Sequence, residues 1–276
     1  MNKTETSKAN ISFWNELCGS QLAKSIGIKD SSKKSLKKFD DWYFKFYPYL
    51  DKHIQFSSLN NKDVLEIGLG YGTVSEKIAS SGGKYKGLDI AEGPVKMVNH
   101  RLKQNNLKGK AFQCSILDHE LNDNSFDTII AIGCLHHTGD LDKAIQNCYK
   151  LLKPGGSLIF MVYYSYSLRR WINSFNLTLK YLLSELIGKR GVVGNSNNKS
   201  RARYDTNEAG EGAPHTDWIS KKSMASLCKN FSELTFKVEN IDSLSYRNRY
   251  EVSREKLLGT FIPKIIGLDL YVTAKK

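Results

Sequence analysis

Apolar residues in the first part of the chain fall at helical spacing. Phe13, Trp14, Leu17 and Leu22 predict a helix over residues 10–27, and a second is predicted over about 32–47. Lys33, Lys34, Lys37 and Lys38 read as its solvated face, while Trp42, Tyr43, Phe44, Phe46, Tyr47 and Tyr49 crowd its end as packing residues. Pro48 breaks this helix. From Lys62 the period changes. VLEIG (64–68), KYKGLDI (84–90), AFQCS (111–115), FDTIIAIG (126–133) and SLIFMVYY (157–164) are short apolar or β-branched runs, read as five strands. Helical stretches over about 73–81 and 140–152 lie between them, and Pro94 suits the first turn of another. Pro154-Gly155-Gly156 reads as a tight turn before the fifth strand.

Strands alternating with helices predict an α/β fold, with a parallel sheet covered on both faces. Beyond it, 165–187 reads as one long helix with Leu168, Trp171, Ile172, Phe175, Leu179, Leu182, Leu183, Leu186 and Ile187 apolar, stopped by Gly188. Residues 188–216 are glycine-rich, polar and basic, the pattern of a long mobile loop. A helix over 220–230, strands near 233–240 and 267–274, and a helix over about 250–259 follow. The expected organisation is an N-terminal helical extension (1–60), a ligand-binding core (61–164), a helical cap with a mobile loop (165–218), and a segment completing the sheet (219–276).

The chain has 276 residues, 40% of them hydrophobic and 25% charged, enough to bury a core without disulfides or metal staples. No apolar run is long enough to span a bilayer, and MNKTETSKAN lacks the apolar stretch of a secretory signal. Cys18, Cys114, Cys134, Cys148 and Cys228 are scattered and form no C-x-x-C pair. That argues against a disulfide framework and a metal cluster, and for a reducing cytoplasm. The net charge is +13. It divides as +4 over 1–60, +1 over 61–160 and +8 over 161–276. Such flanks attract anions: phosphorylated substrates, acidic lipid or nucleic acid.

The first strand runs into Glu66-Ile67-Gly68-Leu69-Gly70-Tyr71-Gly72 and then a helix. Glycines let the backbone turn tightly and approach a ligand. The dinucleotide fingerprint would need glycine where Thr73 stands, and no G-K-[ST] follows. Asp89 ends the next strand, 21 positions after Gly68, where a carboxylate accepts hydrogen bonds from ribose hydroxyls. Glu66 just before the loop suits a ligand with a positive end and repels a pyrophosphate. Together these favour an adenosine-type ligand bearing an amino acid.

At this point the chain resembles a class I S-adenosylmethionine-dependent methyltransferase. The resemblance covers about 62–164 and rests on VLEIGLGYGT, the strand-end LDI, NSFDTIIAIGCLHH (124–137) and LLKPGGSLIF (151–160). FWNELCG (13–19) and APHTDWISKKSM (213–224) are similar to a bacterial branch of that family with no assigned substrate. The resemblance implies a Rossmann-like, mostly parallel seven-stranded sheet in the order 3-2-1-4-5-7-6, with N-terminal helices and a helical cap inserted after strand 5. It implies that Gly68, Gly70 and Gly72 wrap the methionine part of the cofactor, with Glu66 supporting that loop and the amino group. Asp89 would hold the ribose, and Ile90, Ser115 and Ile116 would flank the adenine. Many members carry an acid where Ser115 stands. Backbone carbonyls near Ile132 and Gly133 would meet the methionine ammonium. Asp127 and the Lys-Pro-Gly-Gly turn read as structural.

Methyl transfer from a sulfonium is an in-line displacement, so positioning supplies much of the rate. A base is needed only for a protonated acceptor. Cys134, His136 and His137 follow the fourth strand, and His137 leads as candidate base, ahead of His136. Tyr163, Tyr164, Tyr166 and His215 are candidates for the acceptor pocket, with Asp217 beside His215. Helix 165–187 reads first as a lid, then as a dimer contact or a membrane contact with Arg169, Arg170 and Lys180 facing headgroups. The expected function is methylation of a small-molecule or glycan acceptor at oxygen, an anionic acceptor being favoured by the basic flanks. The alternatives are methylation of RNA or other nucleic acid and a cofactor-binding protein without turnover. Against nucleic acid, the chain has no Pro-Pro dipeptide and Gly133 replaces the proline of a Pro-Cys motif.

Overall fold

The computed structural model describes residues 3–17, 20–194, 197–207, 209–246 and 250–276. Four short helices come first: α1 (Lys3–Leu17), α2 (Ser20–Ser25), α3 (Lys33–Phe46) and α4 (Leu50–Ile54). The alternating part follows: β1 (Asp63–Ile67), α5 (Thr73–Ser80), β2 (Lys84–Asp89), α6 (Glu92–Gln104), β3 (Lys110–Gln113), β4 (Phe126–Ile132), α7 (Leu141–Leu151) and β5 (Leu152–Tyr164). Then come α8 (Leu168–Asn173), α9 (Phe175–Leu186), α10 (Asn198–Ala202), β6 (Trp218–Ile219), α11 (Lys221–Leu227) and β7 (Glu233–Glu239). The chain continues through β8 (Leu244–Tyr246), β9 (Tyr250–Val252), α12 (Arg254–Leu258), α13 (Ile262–Ile266) and β10 (Asp269–Lys275).

The main sheet has the order β3-β2-β1-β4-β5-β10-β7. Counting only its seven long strands in chain order, this is 3-2-1-4-5-7-6, as the resemblance implied. β1 to β5 pair in parallel, and β10 runs antiparallel to both neighbours. β6 adds an eighth strand beside Tyr163 and Tyr164, which the sequence did not announce.

Side chains alternate across the pleat. Leu65 and Ile67 enter the core shared with Ala144, Ile145 and Cys148 of α7, while Val64 packs on the other face with Ile78 of α5 and Val98 of α6. The buried positions of α7 recur at helical spacing from Leu141 to Leu151, and the Asp140 side chain caps it by accepting from the Lys143 N–H. Asp127 accepts from the Asp63 N–H, and Lys153 bridges both carboxylates, so these residues staple the strand starts as expected.

Some boundaries differ from the sequence reading. The helix expected over 10–27 is two helices, α1 and α2; the side chains of Leu17 and Leu22 and the placement of Cys18 lie outside the described residues. Lys153 to Gly156 form an irregularity within β5, marked by a register shift opposite Phe126 and Thr128, rather than a turn ahead of it. The long helix 165–187 breaks at Ser174 (φ −143°, ψ 40°) into α8 and α9, and Gly188 (φ +87°) ends it. There the Lys189 N–H returns to the Ser184 carbonyl and the Gly188 N–H to Glu185. The segment 250–259 begins as the strand β9 and turns helical only after the Ser253 cap.

One buried cation locks the N-terminal helices to the sheet. Arg101 of α6 is fully buried and bonds Asp40 of α3 through both terminal nitrogens and Glu76 of α5 through Nη1, all at 2.9–3.0 Å. Thr73 also donates to Asp40, at 2.6 Å. Removing one partner of such a cluster leaves the others buried without compensation, at a cost of about 3 kcal/mol or more. Arg101→Ala should therefore lower the unfolding free energy from urea titration by that much; an unchanged value would remove Arg101 as the lock.

Candidate active site

A cleft of about 680 Å³ opens at the C-terminal ends of β1, β2 and β4. The polypeptide leaves β1 through Gly68 (φ +76°), and a Cβ there would stand 2.4 Å from the Cβ of Cys134. Gly70 (φ +49°) has open space where a Cβ would be, so a ligand can lie against its backbone. Glu66, Gly68, Gly70, Asp89, Ile90, Ser115, Ile116, Ile132 and Gly133 all line this one cleft.

Gly72 does not line it. Its φ is +79°, and a Cβ would press on Arg101 and Val98 of α6 at 2.8 and 3.1 Å. Gly72 thus seats the loop on that helix rather than wrapping a ligand.

Asp89 accepts from the Leu69 N–H at 2.8 Å through Oδ2 and from the Ala91 N–H at 2.9 Å through Oδ1. Each carboxylate oxygen keeps further acceptor capacity for a diol. Burial raises its pKa, against the lowering by these N–H groups. Ser115 accepts from the Leu117 N–H at 3.1 Å, and Asn147 holds the Ile116 carbonyl at 2.8 Å, which fixes the wall opposite Asp89.

Glu66 lies deeper. Its Oε2 accepts from the Ser75 hydroxyl at 2.5 Å and the Tyr85 hydroxyl at 2.7 Å. Burial outweighs both and pushes its pKa up from 4.5 to about 8.

The histidines have different fates. His136 is fully buried between His137 and Tyr163, with ring centroids 4.0 and 4.2 Å away; neither ring nitrogen has a partner among the described residues. Burial holds its pKa well below the usual value, and it does not line the cleft. His137 does. Its Nδ1 meets the His215 carbonyl at 2.7 Å, so Nδ1 carries the hydrogen and Nε2 presents a lone pair. Nε2 faces Oδ2 of Asp205 at 3.4 Å, in ion-pair range without an aligned hydrogen bond. Asn10 of α1 donates to the His137 carbonyl at 2.7 Å, and Trp14 lies over the ring at 4.7 Å. Burial lowers the His137 pKa, opposed by Asp205; burial raises the Asp205 pKa, opposed by His137. Cys134 donates its thiol to the Ile67 carbonyl at 3.0 Å, and burial pushes its pKa far up, so it packs the loop and is no nucleophile.

The expected acceptor-pocket residues lie elsewhere. Tyr163 sits behind Asp205 and donates to its two oxygens at 2.9 and 3.1 Å. Tyr164 belongs to the core, and Tyr166 donates to Glu185 at 2.6 Å. His215 offers its carbonyl to His137, while its ring pairs with Asp217 at 3.1 Å. Nor do α8 and α9 form the lid: none of their residues lines the cleft. The outer wall is instead Ser7, Asn10 and Trp14 of α1, Phe39 and Tyr43 of α3, and Tyr204 to Thr206. Ser7, Asn10 and Trp14 follow one another at spacings of three and four, a mixed polar and aromatic helix face that the sequence did offer as a signal. Tyr204 and Asp205 stand in an irregular segment and gave none.

Comparison with known proteins fits this geometry. Residues 65–160 match the family model described as a methyltransferase domain. The ubiquinone biosynthesis O-methyltransferase of Coxiella burnetii (strain Dugway 5J108-111) is 33% identical over 113 residues, 41% of this chain and 47% of that protein. The chain spans about half the length of the curated relatives it matches. A solved SAM-dependent methyltransferase of Methanosarcina mazei superposes with a TM-score of 0.53 at 18% identity, covering 83% of this chain and 97% of its own. One from Archaeoglobus fulgidus gives 0.53 at 15%, covering 86% and 99%. Residues 65–160 are thus similar to the methyltransferase domain family, and the chain has the Rossmann-like fold of S-adenosylmethionine-dependent methyltransferases. Among the described residues no helix is long and apolar enough to cross a membrane.

Glu66 makes the stability of the fold sensitive to pH. The folded chain keeps a proton on it up to about pH 8, whereas the unfolded chain loses that proton near 4.5. Its contribution to stability is complete below about 4.5 and is lost as pH rises to about 8. Glu66→Gln should flatten the decline in ligand-free melting temperature across that window; an unaltered slope would show that Glu66 is already ionised. Gly68→Ala should cost about 1–3 kcal/mol through its left-handed φ alone, before the clash with Cys134, and should abolish ligand binding by calorimetry.

Proposed function

We propose that this chain is an S-adenosylmethionine-dependent O-methyltransferase of the cytoplasm, acting on a small neutral molecule or glycan unit that bears a hydroxyl. One observation carries the reading: the glycine loop, Asp89 and His137 all line a single cleft. The loop and Asp89 suit the methionine and ribose parts of the cofactor. His137, on the same cleft, is the residue we assign to the acceptor hydroxyl.

The cofactor supplies an electrophilic methyl carbon on a sulfonium. The rest falls to the chain. Burial disfavours the protonated form of His137, and Nε2, which lies buried beside Asp205, is the nitrogen assigned to take the hydroxyl proton. Nδ1 stays tied to the His215 carbonyl, which fixes the ring, and the Asp205 carboxylate beside Nε2 stabilises the imidazolium that forms. Asp205 is thus a positioning residue. Trp14, Phe39, Tyr43 and Tyr204 give the cleft an aromatic lining, which suits an aromatic or sugar ring. The relative named for O-methylation in ubiquinone biosynthesis supports oxygen as the target.

The basic flanks suggested an anionic acceptor. Among the described residues the cleft lining includes Glu66, Asp89 and Asp205 but no lysine or arginine. A phosphorylated acceptor or a nucleic-acid backbone would meet no cation there, which favours a neutral substrate.

Two experiments test the reading. Asp89→Ala should abolish S-adenosylmethionine binding, and wild-type affinity in that variant would overturn the ribose assignment. Methyl-labelled cofactor with fractionated host extract should label small molecules or lipid-linked glycans only with the wild type; label in RNA or protein would reject the acceptor class. On the labelled fraction, His137→Asn should cut turnover by roughly 10²–10⁴-fold with cofactor affinity retained. Activity should fall with acid below pH 6.5, the ordinary histidine value that burial depresses. Asp205→Asn should shift that limb to still lower pH, since its charge raises the His137 pKa. A limb that stays in place would exclude Asp205 from this role.

A further inference from the structure

We infer that α8 and α9 form an anionic-lipid-binding face that seats the protein on a membrane surface. This goes beyond methyl transfer and does not depend on it.

The apolar side chains expected on this segment do not cover the cleft, and they do not enter the core. Ile172 is 68% exposed, Phe175 54%, Leu183 54%, Leu186 67% and Ile187 73%. From Phe175 onward their positions, with Leu179 between, follow the three- and four-residue steps of one face of α9, and Ile172 lies just before the break at Ser174. Other described residues leave this row of large aliphatic and aromatic groups in water. A patch of that kind marks an interaction site.

Charge decides what covers it. Between Ser165 and Tyr204 the sequence has eight basic residues and a single acid, Glu185. Glu185 is buried, where Tyr166, Ser220 and Ser223 donate to it. Of the arginines at the start, Arg170 is buried and Arg169 pairs with Asp242, so neither faces out as a headgroup contact. The exposed charges of the segment are Lys180, Lys189, Arg190, Lys199 and Arg203, all positive. A second copy of this face would bring like charges together, while a surface of acidic headgroups complements them. An exposed apolar stripe beside lysine and arginine is the composition of a helix lying in the plane of an anionic bilayer. No described helix can cross one, so contact would be peripheral.

The face is also joined to the cleft wall. Arg169 of α8 donates to the Arg203 carbonyl at 2.8 Å and stacks over Tyr204 at 4.5 Å. Tyr204 lines the cleft. A protein seated this way would hold its cleft at a fixed place relative to the lipid.

Flotation with vesicles tests this directly. One set is phosphatidylcholine alone, the other contains about one third phosphatidylglycerol, a lipid with the anionic charge that attracts basic segments. The full chain should float with the anionic vesicles at low salt and stay in the load with the neutral ones. The exposed double variant Leu183→Glu with Leu186→Glu should lose at least about tenfold in binding. Lys180→Glu with Lys189→Glu should lose about 20-fold or more, from roughly a fivefold factor per basic side chain. Both should keep the wild-type melting temperature and S-adenosylmethionine affinity, which separates this result from any failure of the catalytic reading. No flotation, equal flotation with both vesicle types, or full binding by the leucine variant would overturn the proposal. So would a dimer in light scattering that the leucine variant dissolves, in a protein that does not float, because the occupant would then be a second copy.

Discussion

The contact between Gly68 and Cys134 governs the site. β1 and β4 lie side by side, and the loops leaving them diverge to opposite faces of the sheet. A crevice opens where the strand order reverses, the usual ligand position in such sheets. Its floor is set by how closely those loops approach. A side chain at 68 would collide with Cys134, and any residue but glycine would resist the left-handed turn. Cys134 closes the other side by donating to the Ile67 carbonyl. Asp89 then ties the third loop to the first through the Leu69 N–H. Three strand ends are held in register by one close approach and two hydrogen bonds.

The outer half of the cleft is built differently. Its walls come from α1, α3 and residues 204–206, which are far apart in the chain. None belongs to the sheet, so each needs a tether. Arg101 holds α3, Asn10 holds α1 against the His137 carbonyl, and Tyr163 and Arg169 hold the residues around Asp205. All four tethers use polar or charged groups in largely dry surroundings, where pairing is exacting. The floor of the cleft is thus fixed by backbone geometry and its outer wall by side-chain chemistry.

The same division decided what could be read in advance. The parallel sheet was legible because buried strands such as FDTIIAIG have a composition that few other elements share. The floor was legible because glycines and strand-end acids sit at fixed offsets from those strands. Gly72 shares the spacing of its neighbours, and the spacing gives no sign that it packs on α6. The wall was not legible. Tyr163, Tyr164 and Tyr166 alternate along one strand and its exit, yet the pleat and the turn send them to a second layer, the core and Glu185. Asp205 reaches His137 from a segment with no period at all. The break at Ser174 and the exposure of α9 depend on what packs against them, which one-dimensional spacing does not encode.

Trp14 offers a consequence of another kind. Its indole rests on the His137 imidazole, 4.7 Å between centroids. An indole excited state gives up an electron to a protonated imidazole far more readily than to a neutral one. The emission of this tryptophan is therefore coupled to the charge on His137, and the protein carries its own optical gauge of that proton.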